Sequence, residues 1–152
     1  MAEQKKKGTT LIEKMTVIAI AGIVAAAGVQ TYQDYLAQKQ VTEAVDLMNA
    51  AKIIVTRFYL DQKIWPTLTE FNSLIAVQTS EHVASITPTT FALGFQVTAT
   101  FNASGVSTGL VNKTIVLATA NGLTWACDDH TINAIKGSLP TIPSKYRPES
   151  CE

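Results

Sequence analysis

The sequence predicts an α+β fold, a long N-terminal α-helix packed on a small antiparallel β-sheet, with a C-terminal loop bounded by two cysteines. Three observations lead there. No proline falls between Thr9 and Trp65, and the apolar residues of that stretch keep helical spacing. From Phe91 to Cys127 the pattern changes to short apolar alternations separated by turn residues. From Asp128 on, Pro140, Pro143 and Pro148 occur and no periodicity remains.

The helix is expected from about Thr9 to Leu60, about 80 Å at 1.5 Å per residue. A basic octapeptide, Met1 to Gly8 with Lys5, Lys6 and Lys7, abuts its apolar first half, and one carboxylate, Glu13, stands at the mouth of the apolar run. A charge there is costly in lipid and needs a reason. The 15 residues from Met15 to Val29 carry no charge. A spanning helix takes roughly 20 apolar residues; these 15, with Leu11 and Ile12 beyond the charged pair, come close, and they are rich in Ala rather than Leu. The lysines ahead of the run keep the N-terminal tail cytoplasmic. The alternative is an ordinary secretory signal peptide, with Ala25, Ala26 and Ala27 as small residues for cleavage. Against it, Glu13 and Lys14 interrupt the apolar region early, and the helical pattern continues past the point where a signal peptide ends.

After Gln30 the helix becomes amphipathic. Ala44, Met48, Ala51, Val55 and Phe58 recur at intervals of four and three, with Val41, Val45 and Tyr59 beside them. Lys39, Glu43, Asp46, Lys52 and Arg57 fall mostly elsewhere on the wheel. No small domain buries so long a helix throughout, so the first half is expected against lipid or against other copies of the chain.

Beyond it, Asp61 to about Pro88 reads as irregular. Trp65-Pro66-Thr67 stops the helix, and a short helix over Leu68–Leu74 follows, with Thr67 as N-cap and Glu70 three residues on. Phe91 to Phe101 reads as a strand, Asn102 to Gly105 as a turn, and Thr114 to Thr119 as a second strand. Asn121-Gly122 is a two-residue hairpin signal, with Leu123 to Cys127 as the partner strand. Three or four strands result, one face covering the amphipathic half of the helix. The tail from Asp128 on is expected as a surface loop.

Length suits one domain with a modest core. Twelve Lys and Arg balance twelve Asp and Glu; without residues 1–8 the balance is 9 against 11, weakly acidic. No basic stripe interleaved with aromatics argues for nucleic acid. The two histidines are His82 and His130; Asp128-Asp129-His130 has the spacing of neither a helix face nor a ligand turn, and reads as a solvated loop. No nucleophile elbow or phosphate loop occurs. We expect no enzyme, no catalytic residues, no metal and no cofactor. Asn102-Ala103-Ser104 and Asn112-Lys113-Thr114 match a glycosylation sequon that often arises by chance. Cys127 and Cys151 lack metal-ligand spacing. With a membrane-targeting N-terminus they read as a disulfide formed in an oxidising compartment, the alternative being two unpaired buried thiols. Closing a loop of about 25 residues stabilises by about 3–4 kcal/mol in the chain-entropy model.

Several stretches in order resemble the type IV pilins. Gly8 matches the residue before the cleaved bond of their precursors, and Thr10-Leu11-Ile12-Glu13 the start of the mature chain. Ile20-Ala21-Gly22-Ile23 resembles the family's apolar core. Tyr32-Gln33-Asp34-Tyr35 and Gln40-Val41-Thr42-Glu43-Ala44 are similar to stretches further along the helix. Trp125-Ala126-Cys127 and Lys145 to Cys151 look like the family's disulfide-bounded terminal loop.

The resemblance implies the pilin fold, with residues 1–8 as a cleaved leader, 9–31 as the membrane and assembly half of the helix, and 32–152 as the globular domain including the amphipathic half. It implies that a prepilin peptidase cuts between Gly8 and Thr9 and methylates the new amine of Thr9. Subunits would wait in the bacterial inner membrane and be drawn, at an assembly platform there, into an extracellular homopolymeric fibre. Adhesion, twitching motility or DNA uptake, with a host surface or DNA as ligand, are the functions implied. Glu13 fits this physically. Cleavage creates a cationic amine on Thr9, the helix N-terminus adds partial positive charge, and in a low-dielectric fibre core a neighbour's carboxylate can neutralise both.

The chain departs from the family at Thr9, usually Phe; at Lys14, usually apolar; and at Gln30, usually Pro. Lys14 is the most consequential, since it adds a cation beside the amine and either snorkels outward or pairs with a neighbour's Glu13. Without Pro at Gln30 the helix loses a kink site, though Gly22 and Gly28 keep it pliable. Two other functions stay open on sequence alone: a pseudopilin of a type II secretion or competence system, against which the Cys127–Cys151 pair argues, and a membrane-tethered, non-polymerising adhesin module.

Overall fold

The computed structural model describes residues 10–127 and 140–148, the side chain of Ala27 excepted. Its elements are α1 (Leu11–Gln62), α2 (Leu68–Leu74), β1 (Val83–Phe91), β2 (Gly94–Phe101), β3 (Thr114–Thr119), β4 (Trp125–Cys127) and a 3₁₀ turn at Ser144–Tyr146. The chain divides into two compact units, Met1–Asp34 and Tyr35–Glu152. The long helix, small antiparallel sheet and α+β class are as expected.

Within the first unit, α1 starts at Leu11, and the expected start at Thr9 lies outside the described residues. The Thr10 hydroxyl accepts a hydrogen bond from the Glu13 backbone N–H at 3.4 Å, and the Thr10 carbonyl accepts from Lys14 N–H at 3.2 Å, so Thr10 caps the helix. None of the apolar stretch of α1 is buried. By length and composition α1 can cross a membrane.

In the second unit, α1 buries Ala37, Val41, Ala44, Val45, Met48, Ala51 and Val55. The spacing of four and three keeps them on one stripe, and each Val or Met buried there contributes about 1.5–3 kcal/mol. Phe58, expected in that stripe, is only half-buried. The helix runs two residues past Leu60. Lys63 then takes a left-handed conformation at φ 61° and donates its N–H to the Tyr59 carbonyl at 2.8 Å, a helix-ending geometry. Tyr59 stacks on Trp65 with ring centroids 3.9 Å apart, and Trp65 on Phe95 at 5.4 Å. Helix α2 carries the expected capping box: Thr67 accepts from Glu70 N–H, and the Glu70 carboxylate accepts from Thr67 N–H at 2.7 Å. These bonds from Thr67 hold the Glu70 carboxyl below its ordinary value.

The sheet is antiparallel in the order β1-β2-β3-β4. Phe95, Val97, Ala99 and Phe101 alternate along β2 into the core, joined by Ile115 and Leu117 of β3. Two expectations about the first strands are corrected. The strand placed over Phe91 to Phe101 is two strands, β1 and β2, meeting at a tight turn after Phe91. The segment before Pro88, read as irregular, is β1 from Val83 on. Pro88 pairs with Val97 because β1 is an edge strand, where proline is tolerated. A bulge between Val83 and Ser85 interrupts the alternation that would have marked the strand.

Asn121-Gly122 is not a two-residue hairpin, and Leu123 and Thr124 are not in the partner strand. Thr119 pairs with Trp125, leaving five loop residues. Only Gly122 of the two has positive φ, 72°, whereas the two-residue turn needs both. Asn121 Oδ1 instead accepts from the N–H groups of Leu123 (2.9 Å) and Thr124 (2.8 Å), fixing a wider turn.

The C-terminal stretch is less of a surface loop than expected. Residues 128–139 lie outside the described residues, but Ile142 and Tyr146 are buried in the core. The N–H groups of Thr141 and Ile142 donate to the Thr114 carbonyl at 2.9 and 3.3 Å, and Tyr146 occupies the space a Cβ on Gly109 would need.

Candidate assembly site

The site is the start of α1. The Thr10 cap leaves the Glu13 side chain in the first helical turn, where a carboxylate is favoured by the helix dipole. Leu11, Ile12 and Met15 around it are exposed, Ile12 at 77 %. Among the described residues no ion pair or side-chain hydrogen bond engages Glu13 or Lys14. Neighbouring positions on a helix diverge by about 100°, so Glu13 and Lys14 do not neutralise each other. Between Met15 and Gln33 no further charge occurs. An uncovered apolar helix with one carboxylate and one cation at its start can insert into lipid or pack against like helices, and in either setting both charges need partners.

Gly8 and Thr9, the expected cleavage and methylation positions, lie outside the described residues, as do Asp128, Asp129, His130 and Cys151. Cys127 ends β4, is buried and is not a free thiol. Among the described residues no group of three or more His, Cys, Asp or Glu could hold a metal. Asn102 of the first sequon donates its amide to the Glu81 carbonyl at 2.7 Å, and Asn112 of the second is exposed at φ 53°.

Sequence reading missed the polar ties that hold the second unit. His82 Nδ1 lies 2.6 Å from Glu43 Oε2, with Glu43 35 % and His82 21 % exposed. Partial burial pushes the Glu43 carboxyl up, but hydrogen bonds from Ser80 and His82 and the His82 charge outweigh it and hold it below the ordinary value. Gln40 is buried on α1, and its Oε1 accepts from Ser107 N–H at 2.8 Å. Trp125 Nε1 donates to Thr56 Oγ1 at 3.2 Å. Each tie joins α1 to a segment at least 39 residues away; the one available signal was a polar residue, Gln40, on an otherwise apolar stripe.

A capped apolar helix without cover, followed by a small sheet domain, fits a protein that anchors or assembles by its N-terminal segment. A family model, described as pilin of the bacterial filament, matches residues 37–152. The fimbrial protein EcpC of Eikenella corrodens is 35 % identical over 154 residues, covering 99 % of this chain and 94 % of that protein. The type IV major pilin protein PilE of Neisseria gonorrhoeae is 35 % identical over 160 residues, covering 96 % of this chain and 93 % of that one. A fimbrial protein of Pseudomonas aeruginosa is 33 % identical over 150 residues, at 92 % and 80 % coverage. The chain belongs to the pilin family, as a type IV pilin and a structural subunit of a pilus. The family is structural rather than enzymatic, and the apolar N-terminal helix fits membrane anchoring before assembly.

Proposed function

We propose that this pilin is made as a precursor, cut between Gly8 and Thr9 by a prepilin peptidase and methylated at the Thr9 amine. Residues 9–31 then hold it in the inner membrane, where an assembly platform draws it into a helical fibre, with residues 32–152 forming the fibre's outer domain. In the fibre, Glu13 of one subunit neutralises the Thr9 amine of its neighbour. Cys127 and Cys151 form a disulfide that ties down the C-terminus, a pairing supported by Cys127 not being a free thiol. The fibre serves adhesion, twitching motility or DNA uptake through contacts with a host surface or DNA.

The observation that carries this reading is Glu13, a carboxylate without a side-chain partner among the described residues, at the start of an uncovered apolar helix. The cost of placing it in an apolar layer is met when a cation faces it, and cleavage at Gly8 creates one within the first turn. The test is the intact mass of protein sheared from cells that carry a type IV pilus machine. We expect a chain beginning at Thr9, one methyl group heavier and two hydrogens lighter. A full-length chain confined to the membrane fraction rejects the proposal.

A further inference from the structure

Among the described residues, two exposed apolar features of the second unit lie at opposite edges of its sheet. The first is a groove of about 350 Å³ between α1 and the loop after β3, walled by Ile53, Leu60 and Leu123 and rimmed by Lys52, Arg57 and Asp61. Ile53 is 70 % and Leu123 67 % exposed. The groove is preformed, because its two walls are tied together. Trp125 Nε1 bridges to Thr56 Oγ1 on α1 and to the Gly122 carbonyl in the loop, and Gly122 lies directly against the Tyr59 ring.

The second feature is a ridge at the β1 edge. Leu74 ends α2 and Val77 follows in the connector to β1; they are 42 % and 60 % exposed, with Glu81 exposed at the connector's end. The groove adjoins the β4 edge and the ridge the β1 edge. Their charges are complementary. From Ile64 to Asn112 the chain has no Lys or Arg, and its acids are Glu70 and Glu81. The groove rim carries two cations against one carboxylate.

We propose that the groove of one subunit receives the Leu74–Glu81 ridge of a second copy of this chain. Leu74 and Val77 cover Ile53, Leu60 and Leu123, and Glu81 meets Lys52 and Arg57. Two different surfaces on opposite edges make a head-to-tail contact, and such a contact repeats into a fibre when its rotation does not close a ring. Apolar centre and charged rim are the usual division of labour at protein interfaces. The proposal deepens the fibre reading and rests on it.

The test uses fibres assembled from the full chain carrying Ile53→Cys and Val77→Cys, treated with a short bismaleimide after shearing. We expect a ladder of covalent multimers on a denaturing gel, and monomer only from either single variant. Monomer from the double variant in intact fibres overturns the contact, and a covalent dimer from Ile53→Cys alone overturns its head-to-tail sense. Acylation of Lys52 in wild-type material serves if the variants do not assemble. Lys52 should react at least fivefold more slowly in fibres than in detergent-extracted monomer, relative to Lys113. Equal rates mean that the groove stays open or takes another occupant, and overturn the proposal. Absence of any sheared wild-type fibre rejects the fibre reading itself, a separate failure.

Discussion

Replacing Gly122 by Ala should cost far more than its single methyl group suggests. Gly122 has φ +72°, where an L-residue loses about 1–2 kcal/mol. The new Cβ would also stand 2.7 Å from Tyr59 Cδ1. Tyr59 cannot swing away freely, since it is stacked on Trp65, which is itself stacked on Phe95. Forcing such a packed ring to move costs about 1–3 kcal/mol, so the total loss is about 2–5 kcal/mol. Gly105 provides the control: its φ is +76°, but nothing lies within 4 Å of an added Cβ, so Gly105→Ala should lose only the backbone share, about 1–2 kcal/mol. In a Tyr59→Ala background the Gly122→Ala cost should fall to that same share. Urea unfolding of the full chain in detergent, followed by the fluorescence of Trp65 and Trp125, reads all four variants. Equal losses at both glycines, or an undiminished loss in the Tyr59→Ala background, refute the reasoning and mean that the aromatic stack does not hold Tyr59 in place.

Glu43, held below its ordinary value in the fold, contributes stability that is full above its unfolded value and lost as pH falls through the folded one. Glu43→Gln should therefore flatten the acid limb of the stability curve, by less than about 1 kcal/mol because the pair with His82 is partly solvated; an unchanged limb in acid titration of the urea midpoint counts against the pair. Gln40→Ala removes the buried acceptor of Ser107 N–H and should cost about 1–3 kcal/mol by the same assay. Glu13→Ala should abolish or strongly reduce fibre yield after shearing while leaving leader cleavage intact by mass; normal yield removes Glu13 from assembly. Lys14→Leu should raise fibre yield, and an unchanged or lower yield makes Lys14 a working part of the contact.

Local signals carried most of the fold. Thr67 and Glu70 mark α2 because both halves of a capping box lie within one turn, and Thr114 to Thr119 shows its strand because alternation is local too. Failures came where context overrode a local rule. The segment up to Pro88 read as irregular because proline is tolerated only on an edge strand, which β1 is, and a bulge hid its alternation. Asn121-Gly122 had the composition of a tight hairpin, but the Asn121 side chain had two N–H groups to satisfy and opened the turn. Of the candidate assembly site, Glu13 stands out in the sequence as a charge in an apolar run, whereas the Thr10 cap emerges only from the hydrogen bonds at the start of α1. The ties Glu43–His82, Gln40–Ser107 and Thr56–Trp125 were not legible, since each depends on a pairing that exists only after the sheet has folded over α1.

Pro88 bears on how a subunit polymerises in one manner and not another. An open sheet edge is a template on which a second chain can lay its own strand. Proline in the outer strand removes a donor that such a growing ladder needs, and the bulge near Val83 spoils its register. A subunit that assembles into a pilus is thereby guarded against pairing through its sheet edge, so that crowding does not become aggregation.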